Sequence, residues 1–207
     1  MSPTDNLMRT AIPEIEQSTV TTTKPCHDDA LVVKQTQFQI REYVPDDYDD
    51  VAQLVSDGLM FYGGEGSPHH AYWVLFVQNS LTTDVADISG HYLREGNTFF
   101  VVTTTTPSGE TVTVGTIGVE KISDSVAELR RVSVKDAYRR FGIGKFMMAR
   151  VSEWAKARRY ATFVLSCAEV QTQARRFYES LGYAFTKTSV RHEGNESMVL
   201  THYEKSL

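Results

Sequence analysis

Val132-Ser133-Val134-Lys135-Asp136-Ala137-Tyr138-Arg139-Arg140-Phe141-Gly142-Ile143-Gly144-Lys145 carries a β-rich run through a glycine-bearing turn into an apolar stripe at helical spacing, Phe146, Met147, Val151, Trp154 and Ala155. A backbone without Cβ lets an anion come close. The first amides of the following helix lack intrahelical partners and sit at the positive end of its dipole, so they bind anion oxygens. Arg139, Arg140 and Lys145 add side-chain charge around them. Neither the three-glycine dinucleotide loop, G-x-G-x-x-G, nor the G-x-x-x-x-G-K-[ST] phosphate loop is present. Taken alone, the stretch fits an anion site or a plain helix start equally.

Upstream, Val126 to Val134 reads as a strand whose apolar positions Leu129, Val132 and Val134 break the period of two. One extra residue between Leu129 and Val132 is what a β-bulge produces, and bulges re-aim backbone groups beside active sites. Asn97 to Thr105 and Thr111 to Ile122 pair as a hairpin about Pro107-Ser108-Gly109. Two stretches, Ala71 to Leu81 and Asp84 to Leu93, read as helices after the flexible Gly63-Gly64-Glu65-Gly66. A strand at Phe38 to Arg41 and a helix through Tyr48, Val51, Leu54, Val55 and Leu59 precede them. Downstream, Ala161 to Ala168 completes a βαβ unit, Gln171 to Leu181 is an amphipathic helix ended by Gly182, and Tyr183 to Val190 with Met198 to Tyr203 closes the chain as strands. Residues 1–36, rich in Thr, Ser, Pro and charge, read as a disordered tail, leaving one domain over residues 37–207.

The chain has 207 residues, enough for one hydrophobic core. Its formal net charge of -5 argues against nucleic acid or an anionic membrane surface as partner. Cys26 and Cys167, the two cysteines, make no disulfide framework and suit a reducing compartment. The longest apolar run, Ala71 to Val77, is too short for a membrane span, and the first residues lack a signal-peptide pattern, so a soluble cytoplasmic protein is expected. His69-His70 point in different directions on a helix, and no metal is expected.

R-x-x-G-x-G after the Val132-Ser133-Val134 strand end resembles the coenzyme A motif of GNAT acetyltransferases. Gln171-Thr172-Gln173-Ala174-Arg175-Arg176-Phe177-Tyr178-Glu179-Ser180-Leu181-Gly182-Tyr183 resembles that family's second motif, N-x-x-A-x-x-x-Y-x-x-x-G-[FY], in the right order. Leu81 to Ile88 and Glu128 to Val134 are similar to the camello-like branch, which acetylates cysteine conjugates and aspartate; its usual long apolar membrane insertion is replaced here by Met60 to Asn79. The resemblance implies an α+β (mixed α/β) GNAT fold: a mixed, mostly antiparallel sheet of about six to seven strands with about four to five helices.

It also implies direct transfer of acetyl from acetyl-CoA to a primary amine, whether amino acid, cysteine conjugate, small amine or protein amine, without metal, by a monomer or homodimer. Backbone at Val132, Ser133 and Val134 then meets the pantetheine arm, and Arg139, Arg140, Phe141, Gly142, Ile143, Gly144 and Lys145 hold the pyrophosphate. A bulge N–H polarising the thioester carbonyl is the kind of donor whose removal costs about 3–4 kcal/mol. Tyr178, at the family's tyrosine, is the acid for the departing thiolate and also contacts the coenzyme; Glu128 is the candidate base for the amine. Gln171 replaces the family's Asn as a coenzyme contact, and Arg131 is the candidate grip on an acceptor carboxylate. Cys167 is a packing residue, since no covalent intermediate is needed. The competing reading is a catalytically silent acyl-CoA-binding regulatory module, which keeps the loop and does not need Tyr178.

Overall fold

The computed structural model describes residues 18–24 and 34–207. Its strands are β1 (Ser18–Lys24), β2 (Lys34–Glu42), β3 (Thr98–Thr105), β4 (Thr111–Lys121), β5 (Val126–Val134), β6 (Thr162–Ala168), β7 (Ala184–Glu193) and β8 (Glu196–Ser206). Its helices are α1 (Tyr48–Met60), α2 (His70–Thr82), α3 (Ile88–Tyr92), α4 (Ile143–Ala157) and α5 (Thr172–Ser180). The eight strands form one sheet in the order β1-β2-β3-β4-β5-β6-β8-β7. Every neighbouring pair is antiparallel except β5 and β6, which α4 joins as a parallel crossover.

Alternation along the strands sorts side chains to two faces. Phe100, Val102 and Leu129 bury against Ile143, Met147, Val151 and Trp154 of α4. Phe99 and Val101 bury on the other face with Val51 and Val55 of α1 and Ile88 and Tyr92 of α3. The sheet is one strand larger than the six to seven expected. Of the span read as a tail, residues 18–24 form β1 and residues 34–36 begin β2; the remainder, with Cys26, lies outside the described residues.

α3 is shorter than the helix expected over Asp84 to Leu93. Asp84 turns inward to accept a hydrogen bond from the Tyr92 hydroxyl at 2.5 Å, and Asp87 caps the helix by accepting from the Gly90 amide at 2.8 Å. A chain committed at both aspartates starts its helix at Ile88. No helix among the described residues is long and apolar enough to cross a membrane.

Candidate active site

The expected bulge sits between β4 and β5, where Thr116 faces Ser133 and Gly118 faces Arg130, leaving Arg131 and Val132 opposite the single residue Ile117. Arg131 takes a left-handed backbone, φ 52°, a cost for a side-chain-bearing residue that its surroundings must offset. Its carbonyl accepts from the Thr116 hydroxyl at 2.8 Å. Its guanidinium forms a two-pronged pair with the Asp84 carboxylate and donates to the Ser80 hydroxyl at 3.0 Å. Both partners of the pair are buried. Burial alone would raise the Asp84 carboxyl, but the Arg131 hydrogen bonds and charge, the Tyr92 hydroxyl and Arg130 hold it well below the usual carboxylate range. Arg131, expected to grip an acceptor carboxylate, therefore has its fork on a carboxylate of its own chain.

The bulge also resets the strand's facing. Val132 and Val134 pack toward the α4 core together with Leu129, so Glu128, Arg130 and Arg131 fall on the opposite face. β5 and β6 part before the bulge is reached. Their parallel pairing runs only from Val126↔Thr162 to Glu128↔Val164, although β5 continues to Val134 and β6 to Ala168. β6 keeps β8 as partner along its whole length. The parting leaves a wedge at the middle of the sheet, with Glu128 at its apex.

The loop after β5 is anchored by aromatics: Tyr138 and Phe141 set their rings edge-on to the buried Phe38, with centroids at 6.2 and 6.0 Å. Arg139 is held, its guanidinium 4.3 Å from the Phe61 ring centroid and 3.3 Å from Asp136. Arg140 and Lys145 are exposed. Gly142 caps α4 at φ 80° with no side-chain hydrogen bond to the helix start, and a Cβ there would meet no atom within 4 Å. The amides of Ile143, Gly144 and Lys145 lie in the first turn, at the positive end of a fifteen-residue helix, next to this open side of Gly142. Gly144 has another role: a Cβ on it would lie 3.0 Å from the Phe177 ring, so its absence lets α4 pack against α5.

A cavity of about 350 Å³ passes through the wedge. Ala174 and Tyr178 line it from α5, Gln171 from the cap of that helix, Glu128 to Ser133 from β5, and Tyr72, Trp73 and Phe76 from α2. Tyr178 is 7% exposed and its hydroxyl makes no hydrogen bond among the described residues. Burial, with Cys167, Tyr183 and Tyr62 nearby, pushes its phenol far above the ordinary value, so it stays a proton donor. Burial also raises the Glu128 carboxyl, opposed by Arg130, reinforced by Glu120 and opposed by Arg191. Gln171 Oε1 accepts from the Ala168 amide at 2.9 Å, which fixes its carboxamide at the end of β6. Ser133 lies under α1, close enough that a Cβ on Gly58 would meet its Oγ at 2.7 Å. Burial raises the Cys167 thiol, and its Sγ lies 3.5 Å from the Thr201 hydroxyl. Among the described residues no group of three or more metal-ligating side chains converges.

Glu128, Val132, Ser133, Gln171 and Tyr178 thus meet at one cavity, with the Arg139 to Lys145 loop at the start of α4. Sequence reading missed the aromatic wall of α2 and Arg191, whose guanidinium lies 4.8 Å from the Phe76 ring centroid. β7 is brought to the cavity by sheet order alone, and nothing local in its sequence announces that.

Comparison with known proteins bears on the family and the fold. Residues 61–183 match the Acetyltransferase (GNAT) family. Human N-acetyltransferase 8B is 32% identical over 126 residues, which are 58% of this chain and 53% of that protein. N-acetylaspartate synthetase of Xenopus tropicalis is 35% identical over 109 residues, 52% of this chain and 38% of that protein. The chain thus spans about half or less of these relatives' lengths. Among solved structures, a GNAT-family acetyltransferase of Staphylococcus aureus Mu50 aligns with TM-score 0.65 at 18% identity, covering 82% of this chain and 99% of that one. PaiA N-acetyltransferase of Thermoplasma acidophilum, in complex with coenzyme A, aligns with TM-score 0.61 at 17% identity, covering 82% and 99%. At such identities the structural likeness speaks for the fold. The matched span holds the bulged strand, the glycine loop, the parted strands and the Tyr178 helix, and it exceeds half of the sequence: the chain belongs to the acetyltransferase (GNAT) family.

Proposed function

We propose that the wedge between β5 and β6 is where acetyl-CoA delivers its acetyl group directly to a primary amine. The observation that carries this reading is the parting of the two parallel strands after Glu128↔Val164, which opens backbone edges onto the cavity and lies between Tyr178 and Glu128. The residues present fit the coenzyme. The unpaired edge at Val132 to Val134 offers amides and carbonyls to an amide-bearing arm, and the open α4 start suits a pyrophosphate, with Arg140 and Lys145 beside it. Acetyl-CoA supplies an activated acyl group as a thioester.

Each remaining task falls to a group already in place. Tyr178 donates its phenolic proton to the departing sulfur, and the burial that raises it keeps that proton available. Glu128 takes a proton from the acceptor's ammonium, which frees the neutral amine to attack, and its raised carboxyl brings its titration closer to working pH. A backbone N–H at the bulge would serve as the donor to the thioester carbonyl. Arg131 holds that bulge rather than the acceptor. The scarcity of cysteine supports a reducing, cytoplasmic setting.

The test is thiol release from acetyl-CoA across a panel of primary amines. Tyr178→Phe should lower kcat about 10²–10⁴-fold while coenzyme binding by calorimetry stays unchanged. Coenzyme binding without turnover on any amine would leave a silent binding module and defeat the acetyl-transfer reading.

A further inference from the structure

Three arginines line one wall of the cavity, and their partners differ. Arg130 donates to Glu120 at 2.7 Å, and Arg131 is paired two-pronged with Asp84. Arg191, on β7, meets Glu193 through Nε at 3.3 Å, while its two terminal nitrogens make no hydrogen bond among the described residues. Its side chain is 39% exposed and its guanidinium rests over the Phe76 ring, which also carries Arg131 at 5.6 Å from the ring centroid. Stacking on an aromatic fixes the plane of a guanidinium without using its donors, so the fork is held ready. Glu193 is buried and receives the Asn79 amide at 3.4 Å, which anchors the inner side of Arg191.

Charge and lining then set what fits. Arg130 and Arg131 are committed to Glu120 and Asp84, and Glu193 takes only the Nε side of Arg191, so one ligand carboxylate finds the terminal nitrogens of Arg191 and a second finds no uncommitted fork on this wall. Val55, Leu59, Tyr72, Trp73 and Leu200 make up the apolar lining around Phe76.

We propose that Arg191 and Phe76 form the acceptor's carboxylate subsite, and that the acceptor is an α-amino acid with one carboxylate and an apolar or aromatic side chain. Its ammonium faces Glu128, its carboxylate the terminal nitrogens of Arg191, and its side chain the α2 aromatics. The inference rests on the acetyl-transfer reading. It differs from what a site for a dicarboxylate acceptor requires, which is a second uncommitted cation.

The experiment measures kcat/KM for acetyl-CoA-dependent thiol release with phenylalanine, phenylalanine amide and aspartate, using wild type, Arg191→Gln and Arg191→Lys. Wild type should favour phenylalanine over its amide by about 10- to 100-fold, the range of a charge-assisted pair, and over aspartate as well. Arg191→Gln should bring the acid-to-amide ratio near one through a rise in KM for the acid, and Arg191→Lys, charged without the fork, should fall between. The acetyl-CoA-induced thermal shift of each variant reports its folding. An acid-to-amide ratio near one in wild type, a preference for aspartate, or an unchanged ratio in both variants overturns the proposal while leaving acetyl transfer standing. Absence of thiol release with every amine tried overturns acetyl transfer itself, and this proposal with it.

Discussion

Tyr178 and Glu128 are both pushed upward by burial, with opposite chemical consequences. For a phenol the shift preserves the proton to be given; for a carboxylate it delays the loss of the proton that must leave before the group can act as base. Activity should therefore rise with pH through the raised titration of Glu128, and Glu128→Gln should remove that limb together with most turnover, read from pH profiles of kcat/KM. The same shift has a stability side. A group whose folded pKa is raised contributes stability that is present below its unfolded value and is lost as pH rises through the folded value. Glu128 therefore weighs against the fold at neutral pH, and Glu128→Gln should be the more stable protein there, with its advantage shrinking toward acid. Denaturant unfolding at several pH values checks this, and a variant less stable than wild type at pH 7 contradicts it. Tyr178 was legible from its place in a local motif; that burial leaves its hydroxyl unpartnered follows only from how α5 lies on the sheet.

Within the elements, the bulge of β5 is the feature on which the site depends. A broken alternation at Leu129, Val132 and Val134 announces the extra residue, because facing is a property of the strand's own sequence. What holds it is not local. Asp84 lies between α2 and α3, yet its carboxylate takes the fork of Arg131 and the hydroxyl of Tyr92. Asp84→Ala leaves a buried guanidinium without its counter-charge and should cost about 3–5 kcal/mol, measured by urea unfolding. A loss under about 1 kcal/mol would mean that the pair is not needed to hold the bulge. Stability from Asp84 is present above the ordinary carboxylate range and fades only as pH falls through its depressed value, so wild type should keep this clamp across the neutral range. The glycines divide similarly: Gly142 is needed for its left-handed backbone at the start of α4, a demand visible in the turn, while Gly144 is needed because Phe177 arrives from another helix.

At the scale of the whole molecule, the eight-stranded sheet is a frame that holds two parallel strands together at one end and apart at the other. Coenzyme bound across the parting touches β5, α4 and α5 at once, so it should stabilise the folded state as a unit. At a concentration of 100 times Kd, the gain is about 2.7 kcal/mol, or roughly 5–10 °C in Tm for a chain of this size. A thermal melt with and without acetyl-CoA reads this directly, and an unshifted Tm would count against the wedge as the coenzyme site. The sequence by itself determined the order of elements from β2 onward, the bulge, the glycine loop and the place of Tyr178, because each is written in periodicity or in a short contiguous motif. Only the tertiary structure decided that Arg131 belongs to Asp84, that Gly144 makes room for Phe177, and that Arg191 reaches the cavity from β7. Those pairings join positions from about thirty to more than a hundred residues apart, and sequence spacing carries no record of contacts that sheet order and helix packing create.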